Sequence, residues 1–141
     1  SQNEQDTRCI AKAAQIPVLE PADCCEAKAF MKKAFEYSEQ YDTPVILHTT
    51  TRLSHSREPV TEEPRIANTE KTYVKNAAKN VMLPGFARKR HIFVEERMEQ
   101  LERECSDFDI NTIEYQDMDI GIITGGIAYQ YVKEACRRLR F

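Results

Sequence analysis

The sequence predicts an α/β fold built around one parallel strand–helix–strand unit. Two short apolar runs, 16–20 and 44–51, contain β-branched residues and are predicted to be strands. Between them, 23–41 repeats apolar residues at three- and four-residue spacing, which is typical of a helix with one buried face. A helix that connects two adjacent strands favours a parallel pair with a right-handed crossover.

The boundaries of this unit carry clear signals. Asp23 is suited to cap the helix, and Glu26 three residues later completes a capping-box pattern. The helix should end before Thr43, because the following Pro44 disfavours a helical conformation there. Pro17 has no amide donor, so the first strand should lie at an edge or pair only beyond the proline.

Helical segments are predicted on both sides of a polar linker. Near the N-terminus, residues 7–15 have helical composition. In the middle of the chain, 57–68 is polar with two prolines and is predicted to be a linker. A weak helical pattern covers 69–82, and a clear one covers 86–105. The narrow apolar seam of this last helix is formed by Ala87, His91, Val94, Met98, Leu101 and Cys105, with His91 predicted to pack there. The seam needs a partner surface, from the strand–helix–strand unit or from another chain.

The final part of the chain is predicted to open a second α/β unit. A strand over 120–124 leads through Gly125 and Gly126 into a helix over 127–140. The side chains predicted to face inward from this helix are Ala128, Tyr131, Val132, Ala135 and Leu139. The two glycines suit a tight turn, although they could instead admit a phosphate to the helix N-terminus. Because a lone strand and helix cannot bury both faces, we expect the second domain to continue beyond Phe141.

Composition excludes several classes of function. The net charge of -3 argues against a generic nucleic-acid binder. No apolar run reaches the roughly 20 residues that a membrane-spanning helix needs. The five cysteines are irregularly spaced without a Cys-x-x-Cys pair, so no metal ligands are predicted, and reduced thiols in the cytoplasm are expected.

Candidate site residues follow the second predicted strand. Thr50, Arg52 and His55 lie at its carboxyl end, where open α/β sheets bind ligands. Such side chains could hold a carboxylate or a phosphate. Alternatively, the threonines pair with neighbouring backbone and the arginine is solvated, and the sequence leaves both interpretations open. A second polar group, formed by Gln2, Asn3 and Gln5 together with Glu4 and Asp6, precedes the first helix and is interpreted from sequence as a frayed terminus, and no catalytic residue is assigned.

Five stretches resemble the alpha subunit of indolepyruvate:ferredoxin oxidoreductase. They are SQNEQDTR (1–8), IPVLEP (16–21), TPVILHTTTRLSHS (43–56), MLPGFARKRH (82–91) and GIITGGIAYQYVKEA (121–135). The last stretch also resembles a wider set of thiamine-dependent 2-oxoacid oxidoreductases. The chain departs from the family pattern at His48, where an arginine is expected, and at Gly85 and Phe86, where a more polar segment is expected.

The resemblance implies an enzyme that oxidatively decarboxylates aryl pyruvates to acyl-CoA. It implies thiamine diphosphate, Mg²⁺, [4Fe-4S] clusters and CoA for the full enzyme, with a beta subunit and ferredoxin as partners and a homodimer as a further hypothesis. Residues 1–57 would be the second half of a pyrimidine-binding domain. Residues 58–116 would be a connector, and 117–141 the start of a transketolase C-terminal-like domain.

On this resemblance, Thr50, Arg52 and His55 are expected to face substrate or cofactor. The same expectation applies to Gln2, Asn3 and Gln5 at the N-terminus. The glutamate that activates the cofactor would precede Ser1, and the diphosphate-binding domain and cluster cysteines would follow Phe141. We therefore expect this chain to be inactive alone and to bind no cofactor. The alternative is a non-catalytic α/β binding or assembly module with a helical arm.

Overall fold

The computed structural model describes residues 5–67, 70–115 and 119–139. The chain forms two compact units, Ser1–Thr61 with Ile110–Phe141, and Glu62–Asp109. In chain order the elements are α1 (Arg8–Ala13), β1 (Val18–Leu19), α2 (Cys24–Tyr41), β2 (Ile46–Leu47), α3 (Thr51–His55), α4 (Ala77–Asn80), α5 (Pro84–Glu104), a 3-10 turn (Cys105–Asp107) and α6 (Ala128–Leu139). The first unit mixes helices with a two-stranded sheet, as the predicted α/β class requires.

The two strands form the parallel pair that the sequence predicts. Val18 lies opposite Ile46, and Leu19 lies opposite Leu47. The amide of Ile46 donates to the carbonyl of Pro17 at 3.0 Å, so the proline pairs through the one backbone group that it retains. Both strands are shorter than predicted, and β2 ends well before residue 51.

Helix α2 begins and ends where its local signals place it. The carboxylate of Asp23 accepts a hydrogen bond from the amide of Glu26 at 2.8 Å. The carboxylate of Glu26 accepts one from the amide of Ala22, also at 2.8 Å. This exchange satisfies two amides near the helix start, as in a capping box. At the other end Asp42 adopts a left-handed conformation with φ of 50°, which stops the helix before Pro44.

The core of the first unit is a stripe along α2. Its buried members are Phe30, Ala34, Tyr37 and Tyr41, and Ala11, Leu19 and Leu53 are also buried in this unit. The rings of Tyr37 and Tyr41 tilt against each other with centroids 6.3 Å apart. Met31 and Phe35, which share the apolar pattern in the sequence, lie exposed beside the stripe. The buried face is therefore narrower than the sequence indicates.

The polar tail after β2 is helical rather than extended. The hydroxyl of Thr50 accepts a hydrogen bond from the amide of Leu53 at 3.3 Å and so caps α3. Leu53 is buried and anchors this short helix. The prediction of a strand through residue 51 is wrong because a capping threonine starts a helical turn there.

The predicted strand over 120–124 does not form among the described residues. Ile120, Ile122 and Ile123 are exposed, and a strand needs a neighbour to accept its backbone hydrogen bonds. The predicted inward side of α6 is also wrong in most positions. Ala128, Tyr131, Ala135 and Leu139 are exposed, and only Val132 is partly buried.

The second unit is helical. The weak helical pattern over 69–82 reduces to α4, whereas the helix predicted over 86–105 is confirmed as α5. Pro84 occupies the first turn of α5, where its missing amide costs nothing. Along the predicted seam Leu101 is buried and Met98 partly buried. The prediction that His91 packs on the seam is wrong, because its side chain is exposed with Nε2 3.3 Å from Oε1 of Glu95. Neither α5 nor any other described helix combines the length and apolar character needed to cross a membrane.

A matched pair of phenylalanines tests the position of the core. Phe30 is 9% exposed and Phe35 is 69% exposed on the same helix. We expect Phe30→Ala to lower the free energy of unfolding by about 3 kcal/mol, because it removes a buried ring and leaves a cavity. Phe35→Ala should change it by less than about 1 kcal/mol. Urea denaturation followed by circular dichroism measures both, and equal losses would contradict the assigned core.

Candidate functional site

The carboxyl ends of the two strands carry a hydrogen-bonded pair of side chains. Glu20 follows β1 and His48 follows β2, and Nδ1 of His48 lies 2.7 Å from Oε1 of Glu20. Their side chains are 25% and 13% exposed, respectively. Because the carboxylate accepts, Nδ1 is the ring nitrogen that carries the proton. The pair lies at the edge of the sheet where α/β proteins bind ligands.

Two residues of the N-terminal segment extend this pair into a charged group. Nε of Arg8 lies 3.7 Å from the same oxygen of Glu20. The guanidinium also donates to both carboxylate oxygens of Asp6, each at 2.8 Å. These hydrogen bonds hold the pKa of Asp6 well below its usual range and raise the pKa of Arg8. We call Asp6, Arg8, Glu20 and His48 the strand-end cluster.

Sequence reasoning missed this cluster. From sequence, Glu20 is the last residue of the first predicted strand and His48 lies within the second, so neither is assigned to a site. The signal that could have found them is an acidic residue directly after one strand and a basic residue directly after the next. That signal becomes specific only when the register of the two strands is known.

The glycine turn before α6 packs against Glu20. A methyl group on Gly126 would lie 3.5 Å from Cβ of Glu20, and Gly126 has a positive φ of 56°. A methyl group on Gly125 would lie 3.5 Å from Oε2 of the same glutamate. A carboxylate at this position repels a phosphate, so the structure favours a tight turn over phosphate binding.

The predicted residues Arg52 and His55 come together on α3. With Thr51 and Ser56 they line a shallow, open depression. The guanidinium carbon of Arg52 lies 5.4 Å from the centroid of the Tyr131 ring on α6. Thr50 instead turns its hydroxyl to the backbone as the cap of α3. One member of the predicted trio is therefore structural, and two face solvent together.

Of the three N-terminal candidates Gln2, Asn3 and Gln5, the structure describes only Gln5. Gln5 is exposed. Gln2 and Asn3 lie outside the described residues, so their predicted place near substrate or cofactor stays a prediction.

Three side chains at the start of α2 are of types that bind metals. One ligand atom each from Asp23, Cys25 and Glu58 lies within 4.8 Å of the others. The carboxylate of Asp23 caps the helix, and that of Glu58 accepts a hydrogen bond from the amide of Cys24 at 3.2 Å. Two of the three groups thus already satisfy amides at the helix start, which is a sufficient role for them.

Desolvation raises the pKa of the Cys25 thiol. The negative charges of the nearby Glu58 and Asp23 carboxylates raise this pKa further. A raised pKa leaves less thiolate at a given pH and so slows alkylation.

The glycine turn gives a test of the positive φ at Gly126. Gly126→Ala should lower the free energy of unfolding by about 1 kcal/mol, because alanine is strained at a positive φ. Gly121→Ala, in the same unit with no atom within 4 Å of the new methyl group, is the matched control and should have little effect. Urea denaturation compares them, and a neutral Gly126→Ala would contradict this turn geometry.

The environment of Cys25 predicts a specific reactivity. Cys9 and Cys25 are both exposed, but near neutral pH iodoacetamide should modify Cys9 before Cys25, because the raised pKa of Cys25 leaves less of it as thiolate. Peptide mass spectrometry follows each site. Glu58→Gln removes a negative charge and should speed alkylation of Cys25 several-fold without changing Cys9. In the urea-unfolded chain the difference should disappear. Equal rates for the two thiols in the folded chain would contradict the assigned environment.

Comparisons with known proteins identify close relatives for nearly the whole chain. The indolepyruvate oxidoreductase subunit IorA of Pyrococcus horikoshii is 47% identical over 96% of this chain. The corresponding subunits of Archaeoglobus fulgidus and Methanothermobacter thermautotrophicus are 40% and 37% identical, each over 99% of the chain. The chain spans 22 to 23% of the length of these relatives.

No family model matches the chain, and no solved structure matches it. The alignments with the curated relatives cover nearly the whole chain and therefore include residues of both compact units. Over the segment that it shares with them, the chain belongs to the family of indolepyruvate oxidoreductase IorA subunits.

Proposed function

We propose that this chain is part of the alpha subunit of an enzyme that oxidatively decarboxylates aryl pyruvates, with indolepyruvate as a substrate. The observation that carries the proposal is the 37 to 47% identity to IorA subunits over nearly all of the chain. The relatives are named as subunits of indolepyruvate oxidoreductase, and the substrate and the type of reaction are taken from that name. The decarboxylation, the acyl-CoA product and ferredoxin as electron acceptor come from the family resemblance.

The same proposal includes cofactors and partners. Thiamine diphosphate, Mg²⁺, [4Fe-4S] clusters and CoA belong to the full enzyme, together with a beta subunit, ferredoxin and a homodimeric arrangement. We also propose a cytoplasmic location, on the pattern of the cysteines. The domain assignment is 1–57 for the second half of a pyrimidine-binding domain, 58–116 for a connector and 117–141 for the start of a transketolase C-terminal-like domain.

The described residues do not fit a complete cofactor site. Mg²⁺ prefers oxygen ligands, whereas the group of Asp23, Cys25 and Glu58 includes a thiol and uses its two carboxylates at a helix start. The glycine turn before α6 faces the carboxylate of Glu20, which disfavours a diphosphate. Neither group of residues is therefore suited to hold thiamine diphosphate or magnesium, and we propose that the chain alone is inactive.

What the chain can contribute is a substrate-facing surface on α3. Arg52 and His55 can hold the carboxylate of a 2-oxoacid, since a guanidinium and an imidazole both donate hydrogen bonds to it. Leu53, which lies between Arg52 and His55 in the sequence, is buried. One side of α3 therefore faces the core, and the other faces solvent. The cap by Thr50 sets where the helix begins and hence the direction of Arg52.

Exchange of the shared segment tests the function. In a chimera, this chain replaces the matching segment of the Pyrococcus horikoshii subunit, expressed with its partner subunit. We expect reduction of ferredoxin that depends on indolepyruvate. Arg52→Gln in the chimera should lower kcat/KM by about tenfold or more, since it removes a charged hydrogen-bond donor. Arg57→Gln, also exposed but outside the depression, is the matched control and should have little effect.

A chimera that assembles with its partner subunit but gives no indolepyruvate-dependent reduction would contradict the proposed function. Isothermal titration of the isolated chain with thiamine diphosphate and Mg²⁺ tests its inactivity separately. We expect no binding, and tight stoichiometric binding would overturn that part of the proposal.

A further inference from the structure

Helix α5 separates its charges along its length. Over 84–93 its formally charged side chains are all basic, namely Arg88, Lys89 and Arg90. Over 94–104 it carries five glutamates and two arginines. This order opposes the helix dipole, which favours acidic side chains near the start of a helix and basic ones near its end. The first turn has no acidic residue, and Glu102 and Glu104 lie in the last turn. The charge pattern therefore does not stabilise the helix by itself.

One stripe of α5 combines exposed apolar residues with one charge from each half. Lys89, Ile92, Phe93 and Glu96 follow one another at the spacing of helical neighbours and so share a face. Ile92 is 59% exposed and Phe93 is 37% exposed. The buried Leu101 comes two and a half turns after Ile92 and lies on the opposite side of the helix. We call these four residues the α5 stripe.

The two charges of the α5 stripe are not neutralised within the described part of the chain. Lys89 and Glu96 are both exposed, and neither forms an ion pair there. They lie about 10.5 Å apart along the helix axis, too far to pair with each other. Between them, the Phe93 ring rests against Arg90, whose guanidinium carbon is 4.1 Å from the ring centroid. The stripe thus presents an apolar centre between two uncompensated charges of opposite sign.

The stripe is complementary to itself when a second helix runs in the opposite direction. In a two-fold symmetric pair, a residue that contacts a second residue is contacted by it in return. With the axis between Ile92 and Phe93, Ile92 faces Phe93 of the second copy, and Lys89 faces its Glu96. Both contacts occur twice. A parallel pair in register would instead place Lys89 against Lys89, so the charges select the antiparallel direction.

We propose that α5 pairs antiparallel with α5 of a second copy of this chain, about an axis between Ile92 and Phe93. The basic half of each helix then lies beside the acidic half of the other, and the two helix dipoles oppose each other. With 21 residues the helix is about 31 Å long, so nearly six turns are available for contact. The inference rests on the homodimer included in the proposed function and names the surface that forms it.

Charge reversal in solution tests the pairing directly. Sedimentation velocity of the full chain should show a dimer that dissociates on dilution. Lys89→Glu and Glu96→Lys should each weaken the dimer at least about tenfold, because both symmetry-related contacts then join like charges. An equimolar mixture of the two variants should restore it, because every contact again joins opposite charges. Restoration also shows that both variants are folded.

Matched controls carry the same charge changes outside α5. Lys75→Glu and Glu70→Lys alter exposed residues of the same compact unit and should leave the dimer unchanged. Three results would overturn the inference. They are a chain that stays monomeric up to millimolar concentration, single reversals that dimerise as well as the unchanged chain, and a mixture that stays monomeric.

The chimera reports on the proposed reaction separately, because sedimentation of this chain requires no catalysis. An active chimera together with a monomeric chain would remove the α5 pairing and leave the reaction. An inactive, assembled chimera together with restored dimerisation in the mixture would remove the reaction and leave the pairing.

Discussion

The hydrogen bond between Glu20 and His48 is the contact on which the arrangement of the first unit depends. A partly buried carboxylate is costly without partners, and Glu20 has two, the imidazole of His48 and the guanidinium of Arg8. His48 approaches from the end of β2, Arg8 from the start of α1, and the turn around Gly126 from the start of α6. One side chain thereby links four elements that are separate in sequence.

The fold was predictable where its causes are local. Asp23 and Pro44 fix the two ends of α2 by capping and by steric exclusion, and both effects act within a few residues. The prediction of a strand over 120–124 was wrong, because an apolar, β-branched run forms a strand only when another strand pairs with it. The helical turn of α3 was missed because Thr50 suits a strand and a helix cap equally well in sequence. Side-chain hydrogen bonding to Leu53 decides between them.

The candidate site residues also differ in whether local sequence could identify them. Arg52 and His55 could be found from sequence because they follow a recognisable strand and carry the chemistry of anion binding. Glu20 and His48 could not, because their contact follows from the register in which Leu19 lies opposite Leu47. Continuing that register by one residue places the glutamate beside the histidine. Pairing between strands is a property of the folded chain, and no spacing within either strand encodes it.

The strand-end cluster and the α3 surface are physically connected. His48 ends the segment that leads into α3, which carries Arg52, and Glu20 supports the turn that begins α6, which carries Tyr131. A change at Glu20 is therefore expected to disturb the turn that begins α6, although Glu20 itself lies on neither α3 nor α6.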